Sequence, residues 1–393
     1  MGRISPAIPF FMVDVVSVKE GNEVAADVKD SEHGDGDIEG RAVLDSVERM
    51  TRLDPGGMLK TVSDLPQQIR DAQNIARHVE LPEDFSGARS IVAAGLGGSA
   101  IGGDVVRELV AGELKVPMFV VRDYDLPAFV DKDTLVFVSS YSGNTEETLS
   151  AYGIARERGA RILCITSGGR LAELGARDGV PVVTIPPGLP PRTALGYMFV
   201  PMLVALARLG YVKEAGEGFD EAELILRDLA LVLGPESPTS VNQAKRLALA
   251  MYGKIPLIYG ASGITAAAAL RWKTQINENS KTHAFWNAFP ELNHNETVGW
   301  GARKDIAGAL RVVLLRDKGD HPRVQRRMEI TSTLMSNAAG IDEVYSLGRS
   351  KIARLLSLVY VGDFASIYLA FLYGVDPKPV KVIDYLKGEL AKG

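Results

Sequence analysis

Between residues 91 and 186 the chain strings together apolar runs that are too short for helices: IVAA at 91–94, then MFVVRD, TLVFVSS, ARILCITS and PVVTIP. Helix-compatible or turn-rich stretches separate them. Continuous hydrophobic strands alternating with helices predict a parallel sheet, since each crossover must return across a face and cover it. In such a sheet ligands gather outside the carboxyl ends of the strands. That rule puts GLGGS (95–99), SYSGNTEET (140–148) and TSGGRL (166–171) on one rim.

A second series starts at IPLIYGASGITAAAALRWKTQINENSK (255–281), which repeats the order strand, small-residue turn, helix. RVVLLR and DEVYSL continue it as strands, with RVQRRMEITSTLMSN and residues 350–373 as helices. The 393 residues exceed what one hydrophobic core usually holds. The expected fold class is therefore α/β with two parallel-sheet units rather than one large sheet. PPGLPPR (186–192) closes the first unit rigidly, and helices over 195–209, 218–233 and 239–251 cross to the second. Upstream, residues 41–53 and 60–79 have helical periodicity on either side of the turn LDPGG. The expected division is an N-terminal extension over 1–45, a first domain with leading helices over 46–215, and a second over 216–393. Within the extension, the first twenty residues suit an edge strand or packing arm. The acid- and glycine-rich stretch 23–39, with HGDGDIEG, reads as an exposed loop.

Hydrophobic content of 46% with 24% charge is that of a soluble globular chain, and a formal charge of −5 argues against a broad nucleic-acid surface. Cys164, alone of its kind, sits inside RILCIT and reads as a buried strand thiol. No run approaches a membrane-spanning helix: residues 224–233 contain Arg227 and Asp228, and 355–373 is interrupted by Asp363. With no signal-peptide core at the N-terminus, a cytoplasmic enzyme without membrane or nucleic-acid partners is expected.

SSYSGNTEETL (139–149) lies between an apolar strand and an amphipathic helix. Ser140, Ser142 and Thr145 set three hydroxyls around a turn that Gly143 and Asn144 can tighten. Two readings stand. One is a phosphate site at a helix start, where free N–H groups and the peptide dipoles favour an anion. The other is an ordinary Ser/Thr capping turn with Glu147 near the third helical position. The glycine-rich turn 95–98 lacks the acidic strand end of a dinucleotide site, and no Gly-Lys-Ser/Thr closes a Walker loop. Glu278, at the end of a helix, reads either as a base at the mouth of a pocket or as a solvated helix residue. Phe289–Trp300, FPELNHNETVGW, carries little regular periodicity and much chemistry. Its His294 is the favoured acid/base histidine, because imidazole titrates nearest neutrality. Metal binding by His283, His294 and the nearby glutamates has no HExxH or cysteine pair behind it. Arg192 follows two prolines that fix its approach to a phosphate, an oxyanion or a surface acid.

At GLGGSAIGGD (95–104), SYSGNTEETL (140–149), TSGGRLAELG (166–175), PPRTALGY (190–197), NENSK (277–281), ELNHNE (291–296) and IDYLK (383–387), the chain resembles the bifunctional phosphoglucose/phosphomannose isomerase family of sugar isomerase (SIS) domain proteins. The resemblance covers roughly residues 45 to 390 and implies two SIS domains in a homodimer whose sugar site draws on both subunits. It implies interconversion of glucose 6-phosphate and mannose 6-phosphate with fructose 6-phosphate, with no metal or redox cofactor. By the family pattern Gly98, Ser99, Ser140, Ser142 and Thr145 hold the phosphate. Glu278 is the base, Arg192 steadies the enediol, and His294 and Lys387 open and close the ring. Lys387 is singled out by the resemblance alone. An isomerase for one phosphosugar and a non-catalytic sugar-phosphate sensor are the alternatives; the sensor would need a basic recognition helix that the chain does not offer.

Overall fold

The computed structural model describes residues 33–390 and 392, so the arm expected in the first twenty residues lies outside the described residues. Four helices lead in: α1 (His33–Leu44), α2 (Val47–Leu53), α3 (Met58–Ser63) and α4 (Leu65–Arg77). The first sheet then forms from β1 (Ser90–Ala94), β2 (Met118–Val121), β3 (Thr134–Ser139), β4 (Arg161–Thr166) and β5 (Val182–Thr184), all parallel in the order β2-β1-β3-β4-β5. Helices α5 (Gly97–Val110), α6 (Glu146–Glu157) and α7 (Gly169–Asp178) are its crossovers. Side chains alternate across each strand, so Ile91, Leu135, Phe137 and Leu163 enter the large central core while Val92, Val136, Val138 and Cys164 enter a smaller one on the opposite face. Burial on both faces explains why these strands read as unbroken apolar runs.

Helices α8 (Leu195–Arg208), α9 (Gly216–Leu233) and α10 (Gln243–Met251) lead to a second parallel sheet. Its strands are β6 (Ile255–Ala261), β7 (Phe285–Phe289), β8 (Leu310–Arg316) and β9 (Ile341–Tyr345), in the order β7-β6-β8-β9. Helices α11 (Ile264–Asn279), α12 (Lys304–Ala307), α13 (Pro322–Leu334), α14 (Lys351–Leu372) and α15 (Lys381–Leu390) accompany it. Two separate sheets confirm the two-unit reading, and residues from both share the central core.

Four local expectations are corrected, and one strand is added. Residues 33–39 belong to α1 and not to a loop; the following turns carry Leu44 into the core and bring Gly40 against Leu249 and Leu372, and the acidic start is helical with them. The helix expected over 41–53 breaks at Asp45, whose carboxylate accepts the N–H and hydroxyl of Thr239, and restarts with the Ser46 side chain capping Arg49 N–H. The helix expected over 60–79 is two, divided at Asp64 just before Pro66, which cannot donate to a preceding turn. The strand β7 was hidden because FWNAF is a five-residue edge strand with a polar centre and exposed Phe285 and Trp286. By length and composition α14 is apolar enough to cross a membrane, yet it is packed almost wholly inside the protein.

The polar interruption of α14 is itself structural. Asp363 Oδ2 accepts from Arg271 Nη2 on α11 at 2.6 Å, with both side chains almost fully buried. Removing one partner strands a charge in the core, whereas removing both does not. Asp363→Ala is therefore expected to cost about 3–5 kcal/mol in urea unfolding. The double change Asp363→Leu with Arg271→Met should recover most of that loss; equal destabilisation of the single and double variants would show that the pair does not anchor α14.

Candidate active site

The loops after β1, β3 and β4 meet at the carboxyl rim of the first sheet. Ser167 N–H and Oγ both donate to the Tyr141 carbonyl, Arg170 N–H donates to Asn144 Oδ1, and Leu171 N–H donates to the Gly143 carbonyl. TSGGRL thus braces SYSGNT. Gly143 has φ +71°, and a Cβ there would strike the Gly168 carbonyl oxygen, so the turn requires glycine.

Within this loop the hydroxyls are set by backbone donors. Ser99 Oγ accepts Tyr141 N–H at 3.2 Å and Ser142 Oγ accepts Asn144 N–H at 3.3 Å. A hydroxyl that accepts in this way keeps its own proton for an external acceptor. Ser140 Oγ accepts Gly143 N–H and shares a hydrogen bond with Thr145 Oγ1 at 2.9 Å. Thr145 precedes α6 without a side-chain hydrogen bond to the helix start. The capping-turn reading is therefore corrected: among the described residues these hydroxyls bond within the loop and no side chain caps α6. Ser99 and Ser140 are buried while Ser142 is exposed, so the set forms a floor and an outer edge.

This loop is joined to Arg192. Tyr141 Oη donates to the Pro186 carbonyl and accepts Leu189 N–H, which pins the proline-rich segment to the 140–148 loop. The 3-10 turn Pro191–Thr193 then lies against Gly98, where an added Cβ would sit 2.6 Å from the Pro191 carbonyl oxygen.

Arg192 is buried, and its fork is divided between fixed and unfixed donors. Nε donates to Asn279 Oδ1 at 2.6 Å, and Nη2 to the carbonyls of Pro377 and Lys378 at 2.7 and 2.8 Å. Nη1 makes no hydrogen bond among the described residues and lies 3.6 Å from Glu278 Oε2. Burial pushes the guanidinium down from its ordinary value, opposed by Glu278 and Asp376; an arginine still remains cationic at neutral pH. Beneath it, Asn279 Nδ2 donates to Ser366 Oγ at 2.9 Å and Arg271 Nη2 donates to the Arg192 carbonyl at 3.0 Å. These supports were not visible in the sequence beyond the occurrence of Asn279 in NENSK, because they come from α11, α14 and the turn before α15.

Lys281, also missed, has Nζ 2.5 Å from the Glu278 carbonyl oxygen and 2.9 Å from that of Pro377. Burial, with the Arg192 charge, pushes its ammonium down to about 8. His294 is exposed on the 3-10 turn Glu291–His294, and Lys387 is exposed on α15. No hydrogen bond or ion pair among the described residues joins either to the Arg192–Glu278 pair. The His294 segment is nonetheless anchored, since the Glu296 carboxylate accepts from Tyr259 Oη and Asn287 Nδ2. Cys164 is fully buried, and burial pushes its thiol up to about 12, as suits an inert strand residue.

A family model for the SIS domain matches residues 84–173, and one for the bacterial phospho-glucose isomerase C-terminal SIS domain matches 240–390. Over 336 residues the chain is 48% identical to a bifunctional phosphoglucose/phosphomannose isomerase of Caldicellulosiruptor bescii, covering 85% of this chain and 99% of the relative. It is 39% identical over 315 residues to a protein of the same name from Aquifex aeolicus, covering 80% and 94%. Among solved structures it resembles a hypothetical protein from Thermus thermophilus, with a TM-score of 0.68 at 18% identity over 92% of this chain and 96% of that one, a likeness of fold.

Because a backbone collision cannot be relieved by a rotamer change, Gly98→Ala is expected to push the glycine turn off Pro191 and lower stability by about 1–3 kcal/mol. Turnover should fall with it. Unchanged unfolding and unchanged activity would show that the turn has room to give.

Proposed function

Because the chain belongs to the bifunctional phosphoglucose/phosphomannose isomerase family, we propose that Glu278 and Arg192 form the reacting pair of an aldose–ketose isomerase, with Gly98, Ser99, Ser140, Ser142 and Thr145 holding the substrate phosphate. The enzyme interconverts glucose 6-phosphate and mannose 6-phosphate with fructose 6-phosphate. The proton leaves C2 of the aldose to the Glu278 carboxylate and is returned to C1, while a hydroxyl proton passes between the two oxygens. Negative charge develops on the enediol oxygen, and an oriented guanidinium is a suitable partner for it. The observation that carries this reading is the division of Arg192: Nε and Nη2 are committed to fixed acceptors, and Nη1 is left facing Glu278. Remote binding of the phosphate orients a small polar sugar over that pair.

His294 and Lys387 act in ring opening and closing, and a second copy of the chain completes the site. Supporting this, α15 exposes Val382, Tyr385 and Leu386 beside Lys387, and Val298 is exposed near His294. These apolar side chains suit a subunit contact. A single free thiol with no disulfide suits the cytoplasm, where phosphorylated sugars are held. The proposed division of the chain is 46–215 and 216–393.

Glu278→Gln is expected to lower turnover about 10²–10⁴-fold on both glucose 6-phosphate and mannose 6-phosphate while the melting transition stays cooperative. Substantial retained turnover would remove Glu278 as the base. Arg192→Ala should lower kcat by about 10²–10³-fold. Light scattering at assay concentration should give twice the chain mass; a fully active monomer would refute the shared site.

A further inference from the structure

Helix α11 ends at Asn279, and Ser280 caps it with helical angles. The next residue, Lys281, has φ +56°, the one positive φ outside glycine among the described residues. This left-handed position after a helix end is normally filled by glycine, because a Cβ is disfavoured there. A plain stop to α11 would therefore not call for lysine.

The side chain supplies the reason. Its ammonium turns back to the Glu278 carbonyl and reaches forward to the Pro377 carbonyl. The same Pro377 oxygen accepts Arg192 Nη2. One carbonyl in the turn before α15 is thus shared by the cation beside the proposed base and by the cation opposite it. Lysines near helix ends often bond the last carbonyls for stability alone, but the Pro377 link ties α11 to a segment 96 residues away.

We infer that Lys281 is a positioning residue of the isomerase, a clamp that fixes the end of α11 to the Pro377–Lys378 turn and so sets the Glu278 carboxylate against Arg192 Nη1. Loss of the clamp leaves the phosphate loop, which lies on the other sheet, intact. It loosens the pair that moves the proton. This inference rests on the assignment of Glu278 and Arg192 to the chemistry.

The test compares Lys281→Gly, Lys281→Met and Lys281→Arg with Glu278→Gln in the full-length enzyme. Lys281→Gly relieves the left-handed strain and removes the ammonium; Lys281→Met keeps the strain and most of the stem. Both should lower kcat about 10- to 100-fold, as expected for a misplaced catalytic group, with KM changed less than about twofold. Lys281→Gly should melt no lower than the parent, which separates the loss of turnover from loss of fold, and Lys281→Arg should regain most of kcat. Parental kcat in Lys281→Gly or Lys281→Met, with Glu278→Gln inactive, overturns the clamp while leaving the reacting pair standing. An active Glu278→Gln overturns the reading of the pair, and the clamp with it.

Discussion

A buried guanidinium has five N–H donors and no acceptor, and each donor left without a partner in the interior is costly. That constraint organises the molecule. Arg192 follows the last strand of the first sheet, but its acceptors are Asn279 at the end of α11 and the Pro377 and Lys378 carbonyls beyond α14. The second unit is therefore needed to satisfy a residue of the first. Packing alone would not fix the orientation of the guanidinium; three directed hydrogen bonds do.

Those acceptors are themselves fixed from below. Asn279 is bonded to Ser366, and Arg271 connects the Arg192 carbonyl to Asp363. Asp363 and Ser366 lie on one helix, whose other buried faces are aromatic and aliphatic. A fully apolar α14 would fill the same volume but lose the side-chain partners that orient Asn279 and Arg271 beneath Arg192. The buried polar groups supply direction where hydrophobic burial supplies none.

The strands and loops of the first sheet were legible because their pattern is local. Residues that are adjacent in sequence are also adjacent on the rim, and GLGGS, SYSGNTEET and TSGGRL needed only the parallel-strand rule to be brought together. Glu278 and Arg192 were named without any means of seeing that they face each other, since 86 residues of chain separate them. Lys281 appeared only as the last letter of NENSK, with no role: a positive φ leaves no mark when the residue adopting it is lysine. β7 was missed for a different reason, as an edge strand with one face in solvent lacks the continuous apolar run that marked its neighbours. His294 and Lys387 remained isolated names because, on the shared-site reading, the groups that give them meaning lie on a second copy of the chain.

The two ends of the site also differ in how they are built. On the proposed assignment the phosphate end is one continuous rim, braced by hydrogen bonds between neighbouring loops. The proposed reacting end draws one cation from the first unit and one carboxylate from the second, at 3.6 Å. A small shift between units would leave the first nearly unchanged and alter the second directly. Substrate affinity and turnover should accordingly depend on different parts of the chain: affinity on local loop geometry, turnover on the seam of α11, α14 and the Pro377 turn. The glycine at 98 is where the two meet, since it lets the phosphate rim touch the backbone that carries Arg192. On the proposed assignment, a phosphate held on that rim would set the register of the sugar relative to Glu278 through that contact.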